Sequence, residues 1–268
     1  MYKKDFEVEG LNFEVDDILK IAFDAGKKIM VIYEKDFEIE YKDDKSPLTQ
    51  ADSAANKIIF EGLEKYQKPI LSEEGKEIPY EERKNWTLFW MIDPLDGTKE
   101  FIKKNGEFTI NIALINKNTP IFGVVYAPAT NEIYFTDENS AYKANLDIKE
   151  KEFELKNLNK LPLKKENNNF TIVASKSHLN DETKEFIESL DTQGKEKEFI
   201  SKGSSLKLCM VAEGKADVYP RLAPTMEWDT AAADAIVRKA GKKAYKYESN
   251  DWIEYNKNNL LNPYFIIN

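Results

Sequence analysis

Apolar residues recur at three- and four-residue spacing between Glu14 and Tyr33, with Ile18, Ala22, Ala25 and Ile29 on one side. That period predicts an amphipathic helix. A second helix is predicted after Asp52, with Ala55, Ile58, Ile59, Leu63 and Tyr66 turned inward. The polar segment from Lys42 to Asp52 lies between them, and Pro47 with Ser46 and Thr49 marks it as a loop feeding the second helix. The pattern then changes to strands. Pro69–Leu71 is a short apolar run that ends in Ser72, Glu73 and Glu74. Leu88–Ile92 is continuously apolar, as a buried strand should be, and it ends in Asp93-Pro94-Leu95-Asp96-Gly97-Thr98. Phe108–Ile115, Ile121–Tyr126 and Glu132–Thr136 follow as successive antiparallel strands of one large sheet.

From Asp147 to Asn169 the chain is rich in Lys, Glu and Asn, and reads as a solvated connection between two halves. Beyond it strands and helices alternate. Strands are predicted over Phe170–Ser175, Glu198–Ile200, Ala216–Tyr219 and Tyr264–Ile267. Helices are predicted over Glu182–Leu190, over Ser204–Glu213 with Gly214 as its stop, and over Asp229–Ala240 with Gly241 as its stop. The expected division is an α+β domain over residues 1–158, with a large antiparallel sheet, and a smaller α/β domain over 159–268.

Composition narrows the chemistry. The chain has 268 residues, 41% hydrophobic and 32% charged, the profile of a soluble globular protein long enough for a substantial core. No apolar run is long enough for a membrane span, and the N-terminus lacks an apolar signal core, so a cytoplasmic location is expected. Cys209 is the only cysteine, which excludes an internal disulfide and argues against a zinc site built on thiolates. A net charge of -9 argues against a partner that is a nucleic-acid polymer. An acidic protein that handles phosphorylated molecules needs a cation to carry the attraction, and a hard divalent metal supplies it. His178 is the only histidine, so acid–base chemistry has to be sought chiefly among carboxylates.

Two strand ends carry acids close together, Glu73 and Glu74 after one and Asp93 and Asp96 after the next, where open sheets place ligand sites. Pro94 stiffens the intervening turn and Gly97 lets the backbone swing, so both aspartates can converge with the Leu95 carbonyl between them. Such an oxygen cluster repels itself without a cation, and Mg²⁺ suits it. Two ions can bridge a phosphate ester, one activating a water and one stabilising the leaving oxygen. Asp229, at the predicted start of a late helix, can complete the set or simply cap that helix.

These segments resemble the inositol monophosphatase superfamily. Asp93 to Thr98, continued by Lys99-Glu100-Phe101, is similar to its first signature, and Trp228 to Ala235 to its second. Ser72-Glu73-Glu74 matches the upstream acidic pair and Ser46 to Asp52 the first loop. Within the superfamily, Ser175-Lys176-Ser177-His178 and Gly203 to Gly214 resemble the bisphosphate nucleotidases of the CysQ type, as do Tyr219-Pro220-Arg221 and Asn262 to Phe265. Lys176 stands where that branch usually has arginine, keeping charge but losing the planar fork.

The resemblance implies the layered αβαβα sandwich of the sugar phosphatases. It implies two or three Mg²⁺ ions held by Glu73, Asp93, the Leu95 carbonyl, Asp96 and Asp229. Asp52 and Thr98 would orient and deprotonate the attacking water, although the residues themselves do not select Thr98 over Thr49. Gly97, Thr98, Ser175, His178, Gly203, Lys207 and Arg221 would contact a phosphorylated nucleotide, 3′-phosphoadenosine 5′-phosphate. The alternatives are an inositol monophosphatase or fructose-1,6-bisphosphatase on the same scaffold, and a catalytically silent metal- or nucleotide-binding protein. Free N–H groups at the start of the Ser204 helix, with Lys207 one turn on, suggest a phosphate pocket. Lys207 and His178 also read as solvated residues, Arg221 as an ion-pair residue, and Cys209 as a buried structural thiol. The sequence distinguishes neither monomer from homodimer nor free from peripherally membrane-associated protein.

Overall fold

The computed structural model describes residues 1–34, 50–150, 152–164, 168–174 and 180–268 in full, and the backbone of 39–41 and 47–49. A hairpin of β1 (Asp5–Val8) and β2 (Leu11–Glu14) leads into α1 (Val15–Tyr33). A short pair, β3 (Ile39–Tyr41) and β4 (Pro47–Thr49), precedes α2 (Gln50–Glu64). There follow β5 (Ile70–Ser72), α3 (Tyr80–Arg83), β6 (Leu88–Asp96), α4 (Thr98–Ile102), β7 (Thr109–Asn116), β8 (Thr119–Ala127), β9 (Glu132–Thr136), β10 (Ala141–Asn145) and β11 (Lys156–Lys160). The second half runs β12 (Phe170–Val173), α5 (Asp181–Ser189), β13 (Lys197–Ile200), α6 (Leu206–Glu213), β14 (Tyr219–Arg221), α7 (Ala231–Lys239), β15 (Ala244–Lys246) and β16 (Phe265–Ile267).

Among the described residues, seven strands form one sheet in the order β11-β10-β9-β8-β7-β6-β5, antiparallel except for the β5–β6 pair. Both faces of its central strands are buried, which is why Leu88–Ile92 is apolar without interruption. Alternate residues feed two cores. Trp90 and Ile92 join Ile18, Ala22, Ile29 and Ile59 of α1 and α2 on one face. Phe89 and Met91 join Leu206, Val211, Ile236 and Val237 of α6 and α7 on the other. The three-stranded sheet β14-β16-β15 repeats the device: Phe265 and Ile267 face α6 and α7, whereas Ile266 joins Ile187 of α5. The result is the expected five-layer αβαβα arrangement.

Several boundaries differ from the sequence expectations. α2 begins at Gln50, so Asp52 lies inside its first turn instead of before it. The feeding loop contains β4, and residues 42–46 lie outside the described set. β6 runs on through Pro94 to Asp96. Part of the expected solvated connection is the edge strand β11, whose polar side chains are mostly exposed while its backbone pairs with β10; the expected division at 158 falls within it. α6 starts at Leu206 because Ser204 adopts a left-handed φ of +50°, which a right-handed helix cannot include. Ala216–Val218 carries an isolated bridge, Ile172 to Val218, and the ladder with β16 begins at Tyr219. α7 begins two residues after Asp229.

Close packing of α7 fixes the distance between the two halves of the site. Its alanines lie on the sheet where β8 has Gly123, and a Cβ there would overlap the Ala232 carbonyl oxygen. We expect Gly123→Ala to destabilise the protein by about 1–3 kcal/mol, the usual cost of overpacking, as read from the urea unfolding midpoint. An unchanged midpoint would contradict this packing.

Candidate active site

The site begins with a one-residue irregularity. On β6 the ladder passes from Asp93 opposite Asn111 to Asp96 opposite Thr109, three steps on one strand against two on the other. In a regular strand residues three apart face opposite sides. The extra residue of this bulge brings Asp93 and Asp96 to the same side, and it accommodates Pro94, which could not donate to a regular ladder. The Asp93 Oδ1 atom accepts the Leu95 N–H at 3.0 Å, which holds the turn. Gly97 follows with a φ of +91°, and a Cβ there would run into the Ser204 hydroxyl.

Three carboxylates meet here. Oxygens of Glu73, from the end of β5, of Asp93, and of Asp229, from the turn before α7, all lie within 4.8 Å of one another. Asp229 does not cap α7. Its Oδ2 instead accepts the Thr225 hydroxyl at 2.7 Å and the Met226 N–H at 2.9 Å, upstream of the helix. Asp96 stands beside this trio, and its Oδ2 takes the Ser205 N–H at 2.7 Å. The Leu95 carbonyl accepts a long hydrogen bond, 3.4 Å, from the Thr98 hydroxyl. Asp52 is buried in the first turn of α2, near enough to Asp93 to affect its ionisation. Glu74 is not part of the trio.

Burial pushes the Asp93 carboxyl well above the usual range, and the charges of Glu73, Asp96, Asp229 and Asp52 push it further. Asp96 is pushed up to about 8 by burial and by Asp229, with Lys207 pulling the other way. Burial also raises Asp229, against the hydrogen bonds from Thr225 and Met226. Oδ2 of Asp93 is buried with no hydrogen-bond partner among the described residues. A set of oxygen donors that resists ionisation on its own, one of them a buried carboxylate oxygen without a hydrogen-bond partner, fits a hard divalent cation such as Mg²⁺.

A cleft of ≈310 Å³ opens beside the acids. Asp96 and Asp229 line it, and Gly203, Ser204, Lys207, Tyr219 and Arg221 line it from the second half of the chain. Lys207 is buried, and its ammonium donates to the Ser204 carbonyl at 2.7 Å. Burial lowers its pKa while Asp96 draws it back up. It is therefore not a solvated helix residue, and of the N–H groups expected beside it that of Ser205 is committed to Asp96. Arg221 Nη2 donates to the Pro224 carbonyl at 2.7 Å, and the guanidinium lies near Asp229. A Cβ on Gly203 would meet the Glu107 carbonyl oxygen at 2.7 Å, so this backbone needs glycine. Ser175 and His178 lie outside the described residues, and of the Thr49 side chain nothing is described. Cys209 is wholly buried in the second core and burial pushes its thiol up, as expected of a structural residue.

Sequence reasoning missed part of this surround. Glu100, Lys103, Asn105, Glu107 and Lys202 also line the cleft. It missed Asn111 and Thr109 as well, which are wholly buried opposite the two aspartates. The available signal was two polar residues alternating within an otherwise apolar strand.

Most of the chain has known counterparts. Residues 13–263 match the model of the inositol monophosphatase family. The 3′(2′),5′-bisphosphate nucleotidase CysQ of Salmonella typhimurium is 41% identical over 255 residues, 94% of this chain and 98% of that one. The protein of the same description from Buchnera aphidicola is 42% identical over 233 residues, 85% of this chain and 83% of that one. Among solved structures, CysQ from Bacteroides thetaiotaomicron superposes with a TM-score of 0.84 at 46% identity, covering 94% of this chain and 95% of that one. An IMPase from Thermotoga maritima, at 23% identity and a TM-score of 0.71 over 94% and 91% of the two chains, shares the fold.

The acid cluster makes stability depend on pH in a defined direction. A carboxyl raised from 3.8 to about 8 stays protonated in the folded chain after it has ionised in the unfolded one. In EDTA, Asp96 should therefore lower stability progressively as pH rises from about 4 to about 8. Thermal unfolding of wild type and Asp96→Asn across that range should show the variant gaining on wild type as pH rises. Added Mg²⁺ should raise the wild-type midpoint most at the alkaline end. Parallel pH profiles in EDTA would refute the raised Asp96 carboxyl.

Proposed function

We propose that this chain, which belongs to the inositol monophosphatase family, is a Mg²⁺-dependent 3′(2′),5′-bisphosphate nucleotidase. It hydrolyses 3′-phosphoadenosine 5′-phosphate to AMP and phosphate, and by the same reaction converts 3′-phosphoadenylyl sulfate to adenylyl sulfate. The observation that carries the reading is the convergence of Glu73, Asp93 and Asp229 beside a cleft that Lys207 and Arg221 line from the second half of the chain. Support for the substrate comes from relatives described as bisphosphate nucleotidases, 41% identical over nearly their whole length.

In this reading residues 1–158 supply most of the acids, and residues 159–268 complete the set with Asp229 and bind the nucleotide. Glu73, Asp93, the Leu95 carbonyl, Asp96 and Asp229 would hold two or three Mg²⁺ ions. Bound Mg²⁺ supplies the positive charge that keeps these carboxylates ionised and polarises the phosphoryl group. Asp52 and Thr98 orient the attacking water and take its proton, the hydroxyl relaying it toward the carboxylate. The water attacks the 3′-phosphorus in line, and the ribose 3′-oxygen leaves on the opposite side. Lys207 and Arg221 face the anionic nucleotide, while Gly97 and Gly203 let backbone approach it closely. Ser175 and His178 complete the contacts by resemblance. The compartment that goes with this reading is the cytoplasm, where a lone thiol such as Cys209 stays reduced; no helix among the described residues is long and apolar enough to cross a membrane.

Phosphate release from 3′-phosphoadenosine 5′-phosphate and from inositol 1-phosphate, each with Mg²⁺, tests the reading. Strong preference for the nucleotide is expected. Preference for the inositol ester would move the chain to another substrate class, and no release from any phosphomonoester would end the enzymatic reading. Asp96→Asn should cost at least about a hundredfold in turnover with the fold intact, because it removes an anionic oxygen from the cation site. Near-normal turnover in that variant would exclude Asp96 from the ligand set.

A further inference from the structure

Both aspartates of the bulge face buried polar residues across the ladder. Asn111 stands opposite Asp93 and Thr109 opposite Asp96. Directly paired residues project to the same side of a sheet with their Cβ atoms about 4.5–5.5 Å apart. Thr109, Asn111 and the neighbouring Ser205 are each at most 1% exposed. Burying three polar side chains behind a site that already buries carboxylates is costly unless each is used.

Their hydrogen bonds run in one direction. The Ser205 hydroxyl donates to Asn111 Oδ1 at 2.7 Å, so the 2.9 Å contact between the Thr109 and Ser205 hydroxyls has threonine as its donor. Thr109 also makes a longer contact, 3.5 Å, to Asn111 Oδ1. The oxygen end of the carboxamide is thereby held among hydroxyls. Its Nδ2 is buried and has no acceptor among the described residues. On the paired strand, Asp93 Oδ2 is buried and has no donor. One side chain carries spare donors and its cross-strand neighbour a spare acceptor. The reverse orientation of the amide would set a carbonyl oxygen against the carboxylates. Ser205 closes the arrangement, because its backbone N–H donates to Asp96 Oδ2 at 2.7 Å.

We infer that Asn111 is a positioning residue for the metal-binding carboxylates: its carboxamide, clamped by Ser205 and Thr109, offers its N–H donors to the buried edge of Asp93 through one water. A neutral donor suits this position. An aspartate would add another charge, and an aliphatic residue would leave the Asp93 oxygen without any donor. Groups that orient metal-binding side chains in this manner set how strongly the ion is held. The inference rests on the Mg²⁺ reading given above.

The test is Mn²⁺ binding to the purified chain, followed by electron paramagnetic resonance of the free ion, with kcat and KM measured at saturating metal. Asn111→Ala should weaken Mn²⁺ binding and lower kcat by about ten- to hundredfold, with KM for the nucleotide little changed. Ser205→Ala and Thr109→Val keep Asn111 but loosen its clamp, and should shift metal affinity in the same direction by less. They carry the test if Asn111→Ala does not fold. Folded variants with wild-type Mn²⁺ affinity and kcat would overturn the inference alone. Failure of the wild-type chain to bind Mn²⁺ would remove the metal reading and this inference with it.

Discussion

Repulsion among carboxylates is the constraint to which the rest of this structure answers. Glu73, Asp93 and Asp229 bring oxygens within 4.8 Å of one another in a largely buried place. At that separation, and at an effective dielectric near 20, each pair of full charges costs about 3–4 kcal/mol. Three pairs cost roughly 10 kcal/mol, comparable to the whole net stability of a typical domain. Burial raises the carboxyl pKa values of Asp93, Asp96 and Asp229, neighbouring acids raise Asp93 and Asp96 further, and protonation is one way to lower this cost. A divalent cation removes it without protons and leaves the oxygens usable at neutral pH. Strain of this size persists only where the surrounding packing is strong enough to hold the groups in place. Two buried cores supply that, one on each face of the large sheet.

Much of this was legible in the sequence, for identifiable reasons. The apolar period of α1 and the unbroken run of β6 report burial directly, and their placement agrees with expectation to within a few residues. The acids were legible because Asp93, Pro94, Asp96 and Gly97 sit where an apolar run stops. What was not legible depends on pairing. That Asp93 and Asp96 share a side follows from the ladder with β7, where three residues oppose two, and one strand's sequence does not contain that count. β11 escaped notice because an edge strand contributes backbone hydrogen bonds while its side chains stay polar. The left-handed Ser204 shortens α6 because its conformation is imposed by contacts, its hydroxyl donating to the carbonyls of Asp96 and Glu107.

Asp229 and Lys207 show how context changes a residue's role. Asp229 precedes a helix and was open to a reading as its cap, yet its carboxylate turns back to Thr225 and Met226 and presents itself to Glu73 and Asp93. Lys207 lies in a helix rich in apolar residues, yet is buried beside Asp96 with its ammonium held by the Ser204 carbonyl. In both cases the decisive partner is distant in sequence. Local pattern can nominate such residues, but only the packing of α6 and α7 on the sheet assigns them.

The same contacts join the two halves of the chain and shape the acid site. Ser204 and Ser205, just before α6, reach the Asp96 carbonyl, the Asp96 carboxylate and Asn111 on the first-half sheet. Asp229, just before α7, reaches the trio from the other side. If the second half moved away from the sheet, Asp96 would lose its N–H donor and the trio would lose its third carboxylate. Binding of a cation should accordingly favour the closed packing of the halves, because the full set of oxygens exists only in that arrangement. The acids at the centre both resist assembly and, once a cation is present, reward it.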